Sequence, residues 1–147
     1  MPTRSVSVTA TVPAPAARIF DLLADPAKHP LIDGSGTVRA PRAGAPERLA
    51  PGSTFGMDMK IGVGYRIENT VVEFEEDRLI AWRHFNGHRW RWRLTPLPDG
   101  TTEVTETFDW STARLPLLLD LSPIPRRNKA SMRRSLERLA ALFGAAA

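Results

Sequence analysis

Alternating apolar and polar residues mark two parts of this chain as β-structure. In residues 5–12, valine and alanine alternate with serine and threonine, which predicts a half-buried strand. Residues 53–111 repeat this pattern between turn residues, which predicts a meander of five further strands. A short strand is expected from Thr37 to Ala40, and the stretch from Pro41 to Gly52, rich in proline, alanine and glycine, is expected to be a loop.

Helical spacing replaces the alternation at both ends of the meander. Apolar residues between Ile19 and Leu23 predict one short helix, and the cap-like Asp25-Pro26 predicts a second that ends near Leu31. A long helix is predicted from Ser122-Pro123 to about Phe143, with Gly144 as its stop. Its expected inner stripe comprises Ile124, Asn128, Met132, Ser135, Leu136, Leu139 and Phe143.

Loop lengths predict the register of each hairpin. A three-residue loop at Pro98-Asp99-Gly100 pairs Leu94 with Val104, Trp92 with Glu106, Trp90 with Phe108 and His88 with Trp110. A two-residue turn at Asn86-Gly87 would split Trp82 and Trp90 between the two faces. The three-residue loop Phe85-Asn86-Gly87 is therefore favoured, pairing Trp82 with Trp90, Ile80 with Trp92 and His84 with His88. The remaining turns pair Val71 with Trp82, Asn69 with His84, Ile61 with Tyr65, Met59 with Ile67 and Phe55 with Val71.

These registers place aromatic and aliphatic residues on one dry face and charged residues on the other, wet face. The dry face needs a cover, and the long helix is long enough to supply it. The wet face carries an arginine stripe, defined as Arg83, Arg89, Arg91 and Arg93. The polar residues expected on the dry side are Asn69, Glu73, His84, His88, Glu106 and Asn128.

This order of elements resembles the START and birch-pollen-allergen (SRPBCC) superfamily. The segments VPAPAARIFDLLADPAKHP, VVEFEEDRLIAWRH and RWRWRLTPLPDGTTEVTETFDWS are similar to its polyketide cyclase/dehydrase branch. The expected fold is one α+β domain over residues 1–147: a helix-grip fold whose seven-stranded curved antiparallel sheet wraps a long C-terminal helix, with two short N-terminal helices. The resemblance implies a deep cavity that holds lipids, sterols, quinones, hormones or polyketides in relatives, of which only some catalyse a reaction.

The expected function is therefore binding of a small hydrophobic molecule, such as a lipid, an isoprenoid or a polyketide, for transport, sensing or presentation. The alternatives are a polyketide cyclase or dehydratase, and a protein-partner module with a vestigial cavity. The expected ligand-contacting residues are Phe55, Met57, Met59, Tyr65, Ile67, Asn69, Val71, Trp82, His84, His88, Trp90, Trp92, Glu106, Phe108, Trp110, Leu118, Asn128 and Met132.

Few residues are candidates for chemistry. Glu106 lies between Val104 and Phe108, where apolar surroundings would raise its pKa and suit it to acid/base work or to a structural hydrogen bond. His84 is the second candidate, although a His84–Glu106 dyad is disfavoured because standard strand spacings separate the two by roughly 15 Å. The chain has no cysteine and three scattered histidines, so no metal site and no cofactor is expected.

The net charge of +4 and the pI of about 10.3 raise the question of a nucleic-acid partner. No specific nucleic-acid binding is expected, because the tryptophans point away from the arginine stripe. No segment reaches the roughly 20 apolar residues of a membrane span, and a cytoplasmic location is expected. The apolar connection TARLPLLLDL, residues 112–121, is predicted to be either a core plug or a lid over a cavity mouth near the Phe85-Asn86-Gly87 loop.

Overall fold

A computed structural model describes residues 4–33, 38–41, 47–61, 63–84 and 87–144; the side chains of 38–41, 57–61 and 63–67 lie outside the description. The strands are β1 (Ser5–Val12), β2 (Val38–Pro41), β3 (Thr54–Ile61), β4 (Val63–Glu75), β5 (Leu79–Arg83), β6 (Arg89–Pro96) and β7 (Thr102–Asp109). The helices are α1 (Ala16–Leu23), a 3-10 turn (Pro26–Lys28), α2 (His29–Ile32), α3 (Pro116–Asp120) and α4 (Ile124–Gly144).

The strands form one antiparallel sheet in the order β1-β7-β6-β5-β4-β3-β2. β1 therefore closes onto the last strand of the meander, and α4 lies mainly against β1 and β7. This arrangement confirms the predicted α+β fold, in which a C-terminal helix covers one face of an antiparallel sheet. The elements follow their local signals: the Asp25 side chain accepts from the Ala27 N–H, and the Ser122 hydroxyl accepts from the Ile124 N–H.

The tryptophan registers are confirmed. Trp82 pairs with Trp90, Trp90 with Phe108, and Trp92 with Glu106. The His84 N–H donates to the His88 carbonyl, which closes the β5–β6 hairpin at the predicted pair. Phe85 and Asn86 of that loop lie outside the described residues. The Pro98-Asp99-Gly100 loop also has the predicted form, with the Leu97 N–H donating to the Thr101 carbonyl and Gly100 at φ +86°.

The predicted β3–β4 register is wrong by two residues. Phe55 pairs with Asn69, not with Val71, and Ile61 pairs with Val63, not with Tyr65. Gly62 between them lies outside the described residues. A shift of two residues keeps every side chain on its face, so the dry and wet pattern cannot detect it.

Glu73 lies on the wet face, not on the dry face as predicted. The β4–β5 register shifts between Val71 and Glu73, so Glu73 pairs with Ala81 and Phe74 takes the inward position opposite Ile80. Such a bulge adds one residue to one strand and reverses the facing of every residue beyond it. Phe74 then packs edge-on against Phe20, with ring centroids 5.4 Å apart.

The bulge places Glu73 among the cations of the arginine stripe. Its carboxylate accepts from Arg91 at 2.7 and 2.9 Å and from Arg89 at 3.0 Å. Arg91 also donates to Asp109 at 3.3 Å. The hydrogen bonds from Arg91 and Arg89 lower the pKa of Glu73. At its centre the stripe is thus a compensated ion-pair network, and not a row of free cations.

Glu73→Gln should lower the free energy of unfolding by about 1–3 kcal/mol at neutral pH, because Arg91 loses a charged, half-buried partner. The loss should shrink as the pH falls from the usual glutamate pKa of about 4.3 through the lower folded-state pKa of Glu73, because the wild-type carboxylate then also becomes protonated. Urea denaturation at pH 7 and at pH 3 measures both effects. Glu75→Gln, an exposed position on the same strand, is the matched control and should change stability by less than about 0.5 kcal/mol. Equal losses in the two variants would contradict this account.

Candidate functional site

An aromatic cluster fills the interior where β3 and β5 meet the N-terminal helices. Trp82 stacks on His29 with ring centroids 4.9 Å apart, and Phe55 meets both rings edge-on at 5.6 Å. His29 Nε2 donates to the Leu23 carbonyl oxygen at 2.8 Å. Burial lowers the pKa of His29, so the ring is neutral at pH 7. This part of the dry face is packed core.

The centre of the dry face holds a deep polar pair, Trp92 on β6 and Glu106 on β7, which are direct cross-strand partners. Trp92 is 3% exposed and Glu106 5% exposed. Within the described residues, neither Trp92 Nε1 nor Glu106 Oε1 has a hydrogen-bond partner. Burial raises the pKa of Glu106 well above its usual range, and the nearby Asp33 carboxylate adds to the effect. Glu106 is therefore buried, as predicted, and its surroundings favour the protonated carboxyl.

The outer end of the dry face carries an outer polar cluster, defined as Asn69, His84 and His88. The two imidazole rings lie 4.6 Å apart, and His88 meets Phe108 edge-on at 5.3 Å. Burial lowers the pKa of His84 to about 3, helped by neighbouring His88, and lowers the pKa of His88 to about 4. Among the described residues, Asn69 Oδ1 and His88 Nδ1 are buried and find no partner.

This outer end is the more open one. His84, His88 and Trp90 are half-buried although they lie on the dry face, whereas Trp92 and Glu106 are buried. Trp90 contacts Phe108 with centroids 5.0 Å apart and packs against both of the hydrophobic clusters of the interior. Partial exposure of a large aromatic side chain on an inward face indicates that the interior reaches solvent here.

The apolar connection between β7 and α4 borders the same end. Gly87, at φ +92°, lies so close to it that an added Cβ would come within 2.5 Å of the Thr112 carbonyl oxygen. Thr112 Oγ1 in turn donates to the Gly87 carbonyl at 2.6 Å. The predicted proximity of the β5–β6 loop to this connection is thus confirmed at Gly87.

The connection contains a helix that the sequence analysis missed, α3, held by one carboxylate. Asp120 accepts from the indole N–H of Trp110 at 2.7 Å and forms an ion pair with Arg4 at 3.0 Å. Leu119 is buried against this anchor. The other leucines project into solvent, with exposed fractions of 59% for Leu115, 65% for Leu117, 63% for Leu118 and 87% for Leu121. We call residues 115–121 the leucine segment.

The structure brings together many of the predicted contact residues. Buried on or against the dry face are Phe55, Asn69, Val71, Trp82, Trp92, Glu106, Phe108, Trp110 and Met132. Leu118 is on the surface, Asn128 is half-buried, and Ile124 of the predicted inner stripe is 42% exposed. The predicted contacts Met57, Met59, Tyr65 and Ile67 lie outside the described side chains.

Two expectations about chemistry concern a His84–Glu106 dyad and a metal site. Among the described residues, the ring contacts of His84 are with His88 and Trp90. In the described ranges no group of three or more potential metal ligands comes together, and no helix is long and apolar enough to cross a membrane.

Two features of the interior escaped the sequence analysis. His29 belongs to the aromatic core, but only the docking of α2 on the sheet reveals it. Asp120 accepts from Trp110 and also pairs with Arg4, which lies 116 residues away in the chain, a separation that no local pattern encodes.

Comparison with known proteins agrees with this architecture. The uncharacterized protein Rv0088 of Mycobacterium tuberculosis is 45% identical over 109 residues, which are 74% of this chain and 48% of that protein. The chain thus spans about half the length of that relative. Protein Ms6760 of Mycobacterium smegmatis has the same fold, with a TM-score of 0.72, 18% identity and coverage of 99% and 94% of the two chains. An AHSA1-like protein of Aeromonas hydrophila is similar, with a TM-score of 0.68, 19% identity and coverage of 97% and 93%.

The family assignment rests on a match that covers nearly all of the chain. A family model described as polyketide cyclase / dehydrase and lipid transport matches residues 3–144. The match includes the sheet, the deep polar pair and all of α4. This chain belongs to the polyketide cyclase/dehydrase and lipid transport family.

Proposed function

We propose that the protein binds a small, largely apolar molecule between the dry face of the sheet and α4, for transport, sensing or presentation. The observation that carries this proposal is a set of buried polar atoms in an aromatic interior that have no hydrogen-bond partner among the described residues: Asn69 Oδ1, His88 Nδ1, Trp92 Nε1 and Glu106 Oε1. Buried polar groups in folded proteins are normally paired, and binding sites are apolar with a few convergent polar groups. A bound molecule would supply the missing partners.

Native mass spectrometry of freshly purified protein tests the proposal directly, since a retained ligand adds a discrete mass. Titration with N-phenyl-1-naphthylamine, an uncharged apolar fluorophore, tests it independently. We expect saturable binding with one site, together with shifts in the indole N–H resonances of Trp90 and Trp92. An unchanged spectrum and non-saturating fluorescence, together with the absence of a co-purified mass, would refute the proposal.

The leucine segment is the proposed entrance. It adjoins Gly87 and the half-buried end of the dry face, and four of its leucines are exposed. Surface loops are normally polar, so four exposed leucines in one short connection indicate that an apolar partner covers them for part of the time. Closure of the segment over a bound molecule would give them one.

Leu118→Ser should weaken binding of N-phenyl-1-naphthylamine by about tenfold, equal to ~1.4 kcal/mol. It should change the free energy of unfolding by less than about 0.5 kcal/mol, because Leu118 is mostly exposed. Amide hydrogen exchange in residues 115–121 should be fast in the free protein and slower with the probe bound. Leu142→Ser, at an exposed position of α4, is the control and should leave binding unchanged. Exchange in residues 115–121 that is slow with and without the probe would exclude the segment as an entrance.

An enzymatic role is the second candidate, favoured by one specific observation. The pKa of Glu106 is raised by burial and by Asp33, as expected of a general acid. In a cyclase or dehydratase it would protonate a carbonyl or a leaving hydroxyl of a polyketide-like substrate. Glu106→Gln removes this proton donor while keeping its shape, so loss of turnover with retained binding would identify an enzyme. A binding protein would show no turnover in either form.

The exposed leucines favour a third candidate, a partner module. In that case they would cover a protein surface, and replacing Leu118 would abolish association without affecting binding of the apolar probe. The same variant therefore separates an entrance from a protein interface.

A further inference from the structure

The deep polar pair specifies more than an apolar ligand. Trp92 and Glu106 are adjacent on neighbouring strands and face the same side of the sheet. Both side chains are buried, and no described residue completes the hydrogen bonds of Trp92 Nε1 or Glu106 Oε1. Burying two neighbouring polar groups without hydrogen-bond partners costs free energy of folding. The space beside them therefore suits a group that the protein does not supply.

The chemistry of the pair defines that group. An indole N–H can only donate a hydrogen bond. Burial, helped by the Asp33 carboxylate, raises the pKa of Glu106 and favours the neutral carboxyl, which donates through O–H. Two donors at adjacent positions on the same face of the sheet fit an acceptor. An ammonium group has only donors and would meet the indole N–H unfavourably.

The surroundings define the remainder of the molecule. Trp90 and Phe108 lie next to the pair on the same two strands, in mutual ring contact at 5.0 Å. His88, whose ring contacts Phe108, and its neighbour His84 are neutral at pH 7, since burial lowers the pKa of His88 to about 4 and that of His84 to about 3. An uncharged body with flat, apolar faces suits these neighbours better than an ion does.

We propose that the ligand is an uncharged, largely apolar carbonyl compound whose oxygen accepts hydrogen bonds from Trp92 Nε1 and from the Glu106 carboxyl group. This assignment rests on the proposed function, because it names the ligand class of the same interior site. It holds whether the bound carbonyl compound is carried or transformed.

Three tricyclic probes of similar shape test the assignment at pH 7. 9-Fluorenone carries a carbonyl, fluorene lacks it, and 9-aminofluorene replaces it with an ammonium group. With two hydrogen bonds added, 9-fluorenone should bind about tenfold more tightly than fluorene in equilibrium dialysis. 9-Aminofluorene should bind more weakly than 9-fluorenone. The indole N–H resonance of Trp92, assigned by its loss in Trp92→Phe, should shift downfield with 9-fluorenone and not with fluorene.

Variants locate the preference on the pair. Trp92→Phe keeps an aromatic ring but removes the donor, and should reduce the preference for 9-fluorenone over fluorene to below about threefold. Glu106→Met should do the same, whereas Glu106→Gln, whose amide also donates, should retain most of it. Glu103→Gln, at an exposed position on the same strand as Glu106, is the control, and the preference should remain about tenfold. Amide spectra of each variant verify that the fold is retained.

The outcomes separate this inference from the proposed function. Equal affinity for 9-fluorenone and fluorene would overturn the carbonyl assignment, since water or protein groups would then supply the hydrogen-bond partners of Trp92 and Glu106. The proposed function, binding of an apolar molecule, would be unaffected. Tighter binding of 9-aminofluorene would overturn it in favour of a cationic ligand facing ionised Glu106. Binding of none of the three probes would contradict the proposed function together with the inference.

Discussion

Trp82→Ala should lower the free energy of unfolding by about 3–5 kcal/mol, whereas Trp90→Ala should mainly weaken binding of an apolar probe. Trp82 is buried, stacks on His29 and contacts Phe55, so its removal opens a void in close-packed core. Trp90 is its direct cross-strand partner and faces the same side, but it is half-buried at the open end. Fewer of its contacts are lost when it is truncated, and the stability loss should be about 1–2 kcal/mol.

Chemical denaturation and titration with N-phenyl-1-naphthylamine give the two readouts for both variants. Trp90→Ala should weaken probe binding by about tenfold or more, because it removes an aromatic wall that the probe would cover. Since the pair is matched in residue type, strand position and face, the contrast isolates the difference between core and binding surface. If both variants lose equal stability and bind the probe alike, Trp90 is core and the open end is not a binding surface.

The sequence predicts well those features that depend on which face a residue occupies. Placing Trp82 and Trp90 on the same side required a three-residue loop, and the structure has that pairing. The β3–β4 register was missed because a two-residue shift leaves every face unchanged, and Phe55 packs inward opposite either Asn69 or Val71. The alternation of apolar and polar residues thus predicts which face of the sheet each side chain occupies more reliably than it predicts which residues pair across the strands.

Features that depend on tertiary packing were not predictable in the same way. Glu73 was assigned to the dry face because a β-bulge inserts a residue without altering local composition. His29 was predicted to lie in the second short helix without a role in the core, although docking of α2 makes it part of the core. The apolar content of the leucine segment was visible, but its exposure follows from the anchor at Asp120, which joins residues far apart in the chain.

Glu106→Gln should change how stability depends on pH. The folded-state pKa of Glu106 is raised, chiefly by burial and further by Asp33. Below about pH 4, the carboxyl is protonated in both folded and unfolded chains, and its contribution to stability is fully present. As the pH rises above about 4.3, the unfolded chain releases this proton while the folded protein retains it. The wild-type free energy of unfolding therefore falls until the pH passes the folded-state pKa.

Glutamine does not titrate, so the variant lacks this fall. We expect the free energy of unfolding of Glu106→Gln, relative to wild type, to rise between pH 4 and pH 8, because each pKa unit by which the wild-type carboxyl is raised corresponds to about 1.4 kcal/mol. Urea denaturation at several pH values measures the difference, from which the contributions of His29, His84 and His88 cancel. Glu103→Gln, exposed on the same strand, should instead give a curve parallel to wild type.

A parallel curve for Glu106→Gln would show that Glu106 ionises freely in the folded protein and cannot act as a hydrogen-bond donor at neutral pH. A carbonyl ligand should counteract the loss of stability that accompanies rising pH. A hydrogen bond from the protonated carboxyl favours the neutral form of Glu106 and raises its pKa further. Saturation with 9-fluorenone should therefore extend the wild-type stability to higher pH and stabilise wild type more than Glu106→Met. Glu106 therefore lowers the stability of the ligand-free protein as the pH rises, and the same residue orients the ligand.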